Sequence, residues 1–369
     1  MNPRLHLRYP LALGLTAVAC GFLGTEVPHS PVSRPPAAPR VMSRVEEARC
    51  EDGSSRRYLK GQTHIHSSNS YDGQARPERV VQFYESHGYD FIVFTDHNVV
   101  TWRPSNSAMM VFGGVEISQN ARACGRPARE KGWCLAHVNA LFVDNYRGHI
   151  GVSARQPSRN RMELYQRALN ITRDLGGVAQ LNHPNFNRTA DADVIAGLAD
   201  QGLPLFEIHN HVVDDRPTPA PSLEAMWDSA LSAGHRLYGV ASDDAHDFDA
   251  PRGQRRRRWN GNFSFVMVRA CRERTSVRDA MLGGRFYSST GVVLDEAEAR
   301  DGALRVRVND AGTGDYAIEF VGSGGVVLGR AEGREASYAI ERLPRGGYVR
   351  AIVTGPHGIR AWVQPVWRD

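Results

Sequence analysis

The sequence predicts an α/β barrel followed by a small all-β domain, and two observations support this. Between about residues 58 and 290, short apolar runs alternate with segments of helical periodicity, which is the rhythm of successive βα units. After residue 291 the helical segments stop, and short apolar runs separated by Gly, Pro and Asp continue along the chain. A chain of 369 residues is long enough to bury a core in both parts.

Start and stop signals place the helices of the first region. The first helix begins at Pro77, a favoured residue in a first turn, and ends before Gly88. By the same reasoning the predicted helices span residues 77–87, 160–175, 191–201, 222–233 and 276–282. The strands predicted before or between them span residues 90–95, 178–181, 205–208 and 237–241.

The second region is predicted to form a small β-sandwich, because its apolar runs are short and turn residues separate them. Its predicted strands span residues 304–308, 316–321, 325–328, 338–340, 348–353 and 361–366. We therefore expect a barrel domain at residues 49–291 and a β-domain at residues 292–369.

The N-terminal residues are predicted to direct export. Arg4 and Arg8 precede an uncharged apolar run at residues 11–23, which is the pattern of a signal peptide over residues 1–24. The run is short for a permanent membrane span, which needs about 20 apolar residues. The expected location is therefore the periplasm or its membrane surface.

The residues around Cys20 bear on whether the exported protein is cleaved free or stays attached to the membrane. The small residues before Cys20 resemble a bacterial lipobox, although Ala17 stands where that motif usually has Leu. A membrane-anchored lipoprotein, attached through a lipid at Cys20, and simple signal cleavage both fit this sequence. Residues 25–48 are rich in Pro and are expected to form an extended spacer.

Charge and cysteine content limit the partners and the redox chemistry. A net charge of +5 favours a small anionic substrate and leaves a nucleotide or nucleic acid open, without indicating a nucleic-acid binder by itself. In an oxidising compartment Cys124 and Cys134 fit a disulfide bond that closes a short loop. A zinc pair is the alternative, although no second pair stands nearby.

Histidines and carboxylates recur where the predicted strands end. His64 and His66 are two residues apart, so that in a strand both point to one face and can bind one cation. The apolar strand at 90–95 ends in Asp96 and His97, a charged pair that is costly to bury unless something binds it. The same pattern recurs at Asp72, Glu116, His137, His183, Asp244 and His246. So many such residues in succession indicate a site for divalent cations.

The type and order of these motifs resemble the PHP (polymerase and histidinol phosphatase) superfamily. The resemblance covers about residues 58–290 and implies a distorted (β/α)7 barrel with a di- or trinuclear metal site. It rests on His64-Ile65-His66, Asp72-Gly73, Thr95-Asp96-His97-Asn98, Glu116, His137, His183 and Asp244-Ala245-His246. Residues 284–291 (Gly-Arg-Phe-Tyr-Ser-Ser-Thr-Gly), followed by a small β-domain, are most similar to the carbaryl-hydrolase-like branch.

The resemblance also implies which residues hold each ion. It assigns the first metal to His64, His66, Glu116 and Asp244, the second to Glu116, His137 and His183, and the third to Asp72, His97 and His246. Glu116 is the expected bridge. Two or three divalent ions are expected, and the mixed nitrogen and oxygen ligands suit zinc, manganese or iron.

The candidate catalytic residues are Asp96, Glu116 and His246, with Asp96 expected to orient a ligand or a bound water. Arg252 and Arg255 are the candidate substrate contacts. They belong to a basic stretch that includes the run 255–258, which is suited to clamp a phosphate or is simply a solvated loop. His209 and His211 are expected around the site or on the surface.

The sequence thus favours a metal-dependent hydrolase. The leading hypothesis is a phosphoesterase that acts on a phosphomonoester or a nucleotide through a metal-activated water. A carbamate or carboxyl-ester hydrolase is the second hypothesis, and it rests on the branch-level resemblance. A binding module that uses metal without turnover is the third.

Overall fold

The computed structural model describes residues 50–101, 109–122, 133–157, 160–214, 222–248, 261–309 and 314–369. All of them belong to one compact unit, Glu47–Asp369. Several sequence predictions lie outside the described residues. They are the signal peptide at 1–24, the spacer at 25–48, the lipid site at Cys20, the disulfide partner Cys124 and the substrate contacts Arg252 and Arg255.

The described residues form a mixed set of helices and strands. The helices are α1 (Pro77–Ser86), α2 (Arg161–Asp174), α3 (Ala192–Ala199), α4 (His211–Asp214), α5 (Leu223–Ser232) and α6 (Arg274–Leu282). The strands up to α6 are β1 (Arg57–Gln62), β2 (Phe91–Val93), β3 (Val99–Val100), β4 (Met110–Phe112), β5 (Gly114–Arg122), β6 (Trp133–Leu141), β7 (Gly148–His149), β8 (Val178–Leu181), β9 (Leu205–Asn210), β10 (Tyr238–Ser242) and β11 (Phe265–Ala270). The remaining strands are β12 (Phe286–Ser289), β13 (Leu294–Arg300), β14 (Ala303–Val308), β15 (Ala317–Gly322), β16 (Val326–Glu332), β17 (Glu335–Ala339), β18 (Tyr348–Thr354) and β19 (Arg360–Trp367).

Side-chain caps fix where three of the helices begin. Asn160 accepts hydrogen bonds from two backbone amides at the start of α2, and Asp191 and Ser222 each accept one at α3 and α5. The five predicted helices are confirmed to within two residues at each end. Among the described residues, no helix combines the length and the apolar character needed to cross a membrane.

Apart from β3 and β7, which pair only with each other, the strands of the first region lie in two sheets. The smaller has the order β10-β9-β8-β6-β5, and its β8-β6 and β6-β5 pairings are antiparallel. Strands β11, β1, β2 and β4 lie in a nine-stranded sheet, in which β1 pairs parallel with β2 and antiparallel with β11. The fold is therefore mixed α/β. The predicted (β/α)7 barrel is not confirmed, because the hydrogen-bonded ladder is divided between two sheets and is partly antiparallel.

Two single bridges connect these sheets. Ile65, beyond the end of β1, forms a parallel bridge with Ala245, which lies beyond the end of β10. His97, beyond β2, forms a parallel bridge with Glu116 in β5. The first bridge lies past the carboxyl ends of two strands with parallel partners, which is the edge where α/β proteins bind their ligands. The second bridge joins the chain after β2 to the first part of β5.

The C-terminal strands continue the larger sheet. β19 pairs antiparallel with both β12 and β18, so that the strand order is β16-β15-β18-β19-β12-β11-β1-β2-β4. Strands β13, β14 and β17 form a separate sheet, and its Leu304 and Val306 share an apolar core with Val349 and Val353 of β18. The predicted C-terminal strands are all present. The predicted domain boundary between residues 291 and 292 stays a prediction.

A buried ion pair joins α5 to β18. Nε and Nη2 of Arg350 donate to the two carboxylate oxygens of Asp228, each at 2.7 Å. The hydroxyl of Tyr348 donates to Oδ1 of Asp228 at 3.0 Å. Asp228 is 5% exposed and Arg350 is 1% exposed, so the bidentate geometry compensates two charges that water does not reach.

A disulfide bond joins Cys50 to Cys271, which are 221 residues apart in sequence, with their Cα atoms 5.5 Å apart. The pairing of β1 with β11 brings these cysteines together, since Arg57 stands opposite Ala270. Sequence spacing did not predict this bond, because it depends on a long-range strand pairing. Cys134 is also disulfide-bonded.

Candidate metal centre

Two histidines extend from the end of β1 into the space between the sheets. His64 and His66 flank Ile65, whose bridge with Ala245 keeps this stretch extended. Both side chains are fully buried. Because residues i and i+2 of an extended chain point to the same side, the two rings face one volume.

The second nitrogen of each ring is already engaged. Nδ1 of His64 lies 2.7 Å from Oε1 of Glu207, and Nδ1 of His66 lies 2.9 Å from the hydroxyl of Ser70. The two Nε2 atoms therefore face the centre, where each lies 3.2 Å from Oδ1 of Asp244. A histidine held through Nδ1 presents Nε2 as its metal-binding atom.

Glu116 is buried at the centre of the group, and its two oxygens face different rings. The distances from Oε1 are 2.9 Å to Nδ1 of His137, 3.4 Å to Nε2 of His183 and 3.5 Å to Nε2 of His64. The distances from Oε2 are 2.7 Å to Nδ1 of His97 and 3.6 Å to Nε2 of His66. Each oxygen thus contacts its own set of histidines, and the role of Glu116 as a metal bridge stays a prediction.

An outer group of ligand-type residues lies on the solvent side. Oδ2 of Asp72 is 3.2 Å from Nε2 of His97 and 3.4 Å from Nε2 of His246. The ring of His246 stacks on that of His66, with centroids 4.1 Å apart. Tyr71 is 72% exposed and stacks on His97, with centroids 4.7 Å apart, so this end of the group opens to solvent.

The distances in this cluster fit metal coordination. Nε2 of His64 and Nε2 of His66 are buried and make no hydrogen bond. Ligand atoms about 2.0–2.1 Å from a tetrahedral zinc ion stand about 3.3–3.4 Å from one another. The separations of 3.2 Å to Asp244 and of 3.5 and 3.6 Å to Glu116 are close to that value. The residues present therefore fit divalent metal ions.

Three groups of ligand atoms each lie within 4.8 Å of one another. They are His66, Asp72, His97 and His246; His64, His66 and Glu116; and His97, Glu116 and His137. Seven of the nine predicted metal ligands belong to these groups. The other two, His183 and Asp244, contact members of the groups. His66, His97 and Glu116 are each shared between groups, so the assignment of each residue to a particular ion stays a prediction.

Burial and neighbouring charges put Glu116 and His66 in their metal-binding forms. Burial acts to raise the pKa of Glu116, but the surrounding histidines, chiefly His137, hold that pKa well below its usual range. Burial, together with the charge of His246, lowers the pKa of His66 to about 4. At neutral pH Glu116 is therefore a carboxylate and His66 a neutral imidazole, the states that bind a cation. Burial also acts to lower the pKa of His64 and of His97, but the carboxylates around them, chiefly Asp244 and Glu116 respectively, raise both pKa values above the usual range.

Three residues of the site have positive φ, which is uncommon for residues other than glycine. The values are 26° at His183, 54° at Asp244 and 55° at Asn98. Backbone hydrogen bonds hold these conformations: His183 donates to Oε2 of Glu207 at 2.6 Å, Asp244 to the carbonyl of His64 at 3.0 Å and Asn98 to that of Glu116 at 2.8 Å. Such clustered backbone strain is typical of functional sites.

Asp96, a predicted catalytic residue, fastens the loop that carries Asp72. It is fully buried, and its Oδ1 and Oδ2 accept hydrogen bonds from the backbone amide of Ser67 at 2.6 Å and from its hydroxyl at 2.7 Å. Both carboxylate oxygens are thus used to fix the chain between His66 and Asp72. A direct part for Asp96 in catalysis stays a prediction.

Glu116 and His137 were predicted at strand ends, but both lie inside strands. β5 and β6 are antiparallel partners of nine residues each, and both continue past these side chains. The apolar run before His137 therefore marks only the first part of β6, and the run before Glu116 spans β4 and the first residues of β5. The other predicted ligands follow β1, β2, β8 and β10, as expected.

Glu207 and Asn182 were not predicted as site residues, yet both contact predicted ligands. Glu207 binds His64 as described, and Nδ2 of Asn182 donates to Oε1 of Glu116 at 2.8 Å. A signal for Glu207 was present in the sequence. It is a charged residue in the middle of an apolar strand, and such a residue is costly to bury without a partner.

A cavity of about 330 Å³ opens between the loop after His66 and the pair of short strands β3 and β7. It is lined by Asn69, Pro77, Val99, Val100, Thr101, Arg147, Gly148 and His149. Arg147 and His149 were not predicted as substrate contacts. His209 and His211 stack on Trp362 and Phe263, with centroids 5.7 and 3.9 Å apart.

The described part of the chain is thus a mixed α/β protein with a cluster of metal-binding type. No protein-family model matches the sequence, and no curated protein matches it.

Several solved structures resemble the fold at low sequence identity. A two-domain protein from Bacteroides vulgatus, described as containing a predicted PHP-like metal-dependent phosphoesterase, is 18% identical with a TM-score of 0.41, over 81% of this chain and 91% of that one. A protein from Bifidobacterium adolescentis with a proposed metal-dependent phosphoesterase activity is 15% identical, with a TM-score of 0.35, over 52% and 90%. An amidohydrolase from Chromobacterium violaceum is 16% identical, with a TM-score of 0.33, over 50% and 87%. Likenesses this distant carry no argument about activity.

Proposed function

We propose that this protein is a metal-dependent hydrolase whose active site is the cluster around Glu116. The observation that carries the proposal is the convergence of buried, unbonded histidine nitrogens and carboxylate oxygens at separations of 3.2–3.6 Å. We also propose, from the sequence motifs, that it belongs to the PHP superfamily and to its carbaryl-hydrolase-like branch. Its two bridged sheets would then be an opened form of that superfamily's barrel.

The residues have distinct parts in the proposed reaction. Divalent ions bound here would supply Lewis acidity, which activates a water molecule and stabilises negative charge on a substrate oxygen. Glu116 would hold two ions close together, because its two oxygens face different histidines. Asp244 would hold one ion with His64 and His66. Asp72, His97 and His246 would complete the site on its solvent side.

His246 and Asp96 would keep the solvent side in place. Nδ1 of His246 donates to the backbone carbonyl of Asp244 at 2.6 Å, which turns Nε2 towards Asp72. Asp96 fixes the loop before Asp72 through Ser67. Both residues would therefore position reacting groups, a contribution that depends on small distances.

A phosphomonoester or a nucleotide is the proposed substrate. The net charge of +5 and the predicted contacts at Arg252 and Arg255 favour a small anionic molecule. The second candidate is a carbamate or a carboxyl ester, which the sequence motifs of residues 284–291 favour. A metal-dependent binding module without turnover is the third.

One set of assays separates these candidates. Purified protein, stripped with a chelator and reloaded with manganese, zinc or iron, would be offered p-nitrophenyl phosphate, nucleotides and a naphthyl carbamate. Metal-dependent release of phosphate supports the leading proposal. Release of naphthol alone supports the second candidate. Metal binding without turnover of any substrate supports the third.

The arginine run tests the substrate class. Replacing residues 255–258 with Gln should raise KM for a phosphomonoester more than tenfold, because each charge-assisted contact is worth about 1.5–3 kcal/mol. KM for a neutral ester should stay almost unchanged. Arg330→Gln, on the outer strand β16, removes a positive charge elsewhere and serves as the control. Equal effects of the quadruple change on both substrates would leave the run as a solvated loop.

We propose further that the protein is exported, with either a lipid at Cys20 or simple signal cleavage. The Cys50–Cys271 bond supports this, because disulfide bonds persist mainly in oxidising compartments. Cell fractionation of the wild type and of Cys20→Ser distinguishes the two routes, since only a lipidated protein would leave the membrane fraction on substitution. A chain lacking residues 1–43 should still fold. Recovery of the full-length protein only from the cytosol contradicts the proposal.

A further inference from the structure

We propose that Glu207 is a positioning residue that fixes the metal-binding tautomer of His64 and holds three ligand-bearing segments together. This inference rests on the proposed metal site. Glu207 lies in β9 between the apolar residues Phe206 and Ile208, and it is fully buried.

The carboxylate of Glu207 accepts hydrogen bonds on both oxygens. Oε1 accepts from Nδ1 of His64 at 2.7 Å, from Nε2 of Gln180 at 3.4 Å and from the hydroxyl of Ser242. Oε2 accepts from the backbone amide of His183 at 2.6 Å and from Nδ2 of Asn210 at 2.9 Å. Within the described parts of the chain, none of these donors is Lys or Arg. A buried carboxylate is costly without a nearby positive charge, and His64 is the one of these donors whose donating ring also presents an atom to the proposed cation site.

Glu207 decides which nitrogen of His64 carries the proton in the metal-bound protein. A carboxylate can only accept, so Nδ1 must donate and Nε2 is left with its lone pair. That Nε2 atom makes no hydrogen bond, and it lies 3.2 Å from Asp244 and 3.5 Å from Glu116. The carboxylate also makes the imidazole a stronger ligand by polarising it through Nδ1–H.

The same carboxylate connects ligands that follow three different strands. His64 follows β1, His183 follows β8, and Glu207 binds the ring of the first and the backbone amide of the second. Asn210 extends the connection, because its Nδ2 also lies 3.3 Å from Oδ2 of Asp244, which follows β10. Loss of the carboxylate should therefore disturb several ligands together.

The test compares Glu207→Gln with Ser242→Ala, using Zn²⁺ as the probe in competition with a chelator. Glu207→Gln keeps the shape of the side chain and removes its charge, and it should weaken zinc binding about 10–100-fold. Ser242→Ala removes a donor to the same oxygen but keeps the carboxylate, and it should change the affinity about threefold or less. Thermal unfolding of the metal-free proteins runs in parallel, because a purely structural role would lower Tm and leave the affinity unchanged.

Each outcome has a distinct meaning. Zinc affinity of Glu207→Gln within about threefold of the wild type would overturn this inference and leave the metal site standing. A wild type that binds no zinc would reject the proposed function and this inference together.

A second measurement needs no change at Glu207. In the zinc-loaded wild type labelled with ¹⁵N-histidine, the signals of His64, identified by their loss in His64→Gln, should show a proton on Nδ1. A proton on Nε2 would overturn the inference even if Glu207→Gln fails to fold.

Discussion

Two buried polar groups in this molecule differ in how their members are paired. At the junction of α5 and β18, Asp228 has both carboxylate oxygens bonded to Arg350, and one of them also to Tyr348. One negative and one positive charge are buried together there. The guanidinium also lies over the ring of Trp227, 4.9 Å from its centroid.

The group around Glu116 contains no Lys or Arg among its described members to compensate its carboxylates. It gathers carboxylates and histidines between the two sheets, and Nε2 of His64 and of His66 have no hydrogen bond there. Positive φ at His183 and Asp244 adds backbone strain. The difference shows how to distinguish structure from function in a buried polar group. Charges that compensate one another join elements, even though Nη1 of Arg350 is itself buried without a hydrogen bond. Unbonded ligand atoms from several residues that face one volume instead mark a place for a ligand.

The largest expected effect comes from removing the centre of the second group. Glu116→Ala should remove at least two metal ions and essentially all hydrolysis, because its two oxygens face the histidines of different ligand groups. Elemental analysis and turnover of the best substrate measure the two losses. Glu298→Ala, at a half-buried ion pair with Arg269 that contains no predicted metal ligand, is the control and should change neither. Full metal content and activity in Glu116→Ala would contradict the bridging assignment.

Breaking the first group should act on stability alone. Asp228→Asn leaves the buried guanidinium of Arg350 without its counter-charge, and this should cost about 3–5 kcal/mol in the free energy of unfolding. Urea unfolding measures the loss. Zinc affinity of the folded protein should stay at the wild-type value. A variant that unfolds as the wild type does but binds metal poorly would show that Asp228 serves the metal site and not stability.

The smallest expected effect is the rise in the free energy of unfolding when metal binds. This rise should respond differently to a change in each of the two buried polar groups. At a free zinc concentration of about 100 times Kd, the free energy of unfolding should rise by about 2.7 kcal/mol. Asp228→Asn should keep this increment, and Glu116→Ala should lose it. The measurement is urea unfolding with zinc and with a chelator. An equal increment in both variants would mean that zinc acts elsewhere.

Local signals predicted much of this molecule. Caps and glycines located the helices, since Asn160, Asp191 and Ser222 act within their own first turns. The site residues were found because ligand chemistry restricts residue type, so that closely spaced His and Asp after an apolar strand are informative without any knowledge of the fold.

Features that depend on distant pairings were missed. The Cys50–Cys271 bond requires that β1 lie beside β11, and nothing near either cysteine records this. The division into two sheets follows from the antiparallel pairings of β5, β6 and β8, whose direction an apolar run does not encode. Glu207 was missed because its role depends on His64, which follows a strand of the other sheet.

The position of β19 has a consequence for the order in which the molecule is made. This strand lies inside the larger sheet, between β12 and β18. One edge of β12 (residues 286–289) therefore stays unpaired until residues 360–367 have been made. A ribosome or an export channel that delivers the chain from its N-terminus would therefore release an open sheet edge for some time. Unpaired edges invite association with other chains. Chaperone protection during delivery would have to last until β19 has emerged.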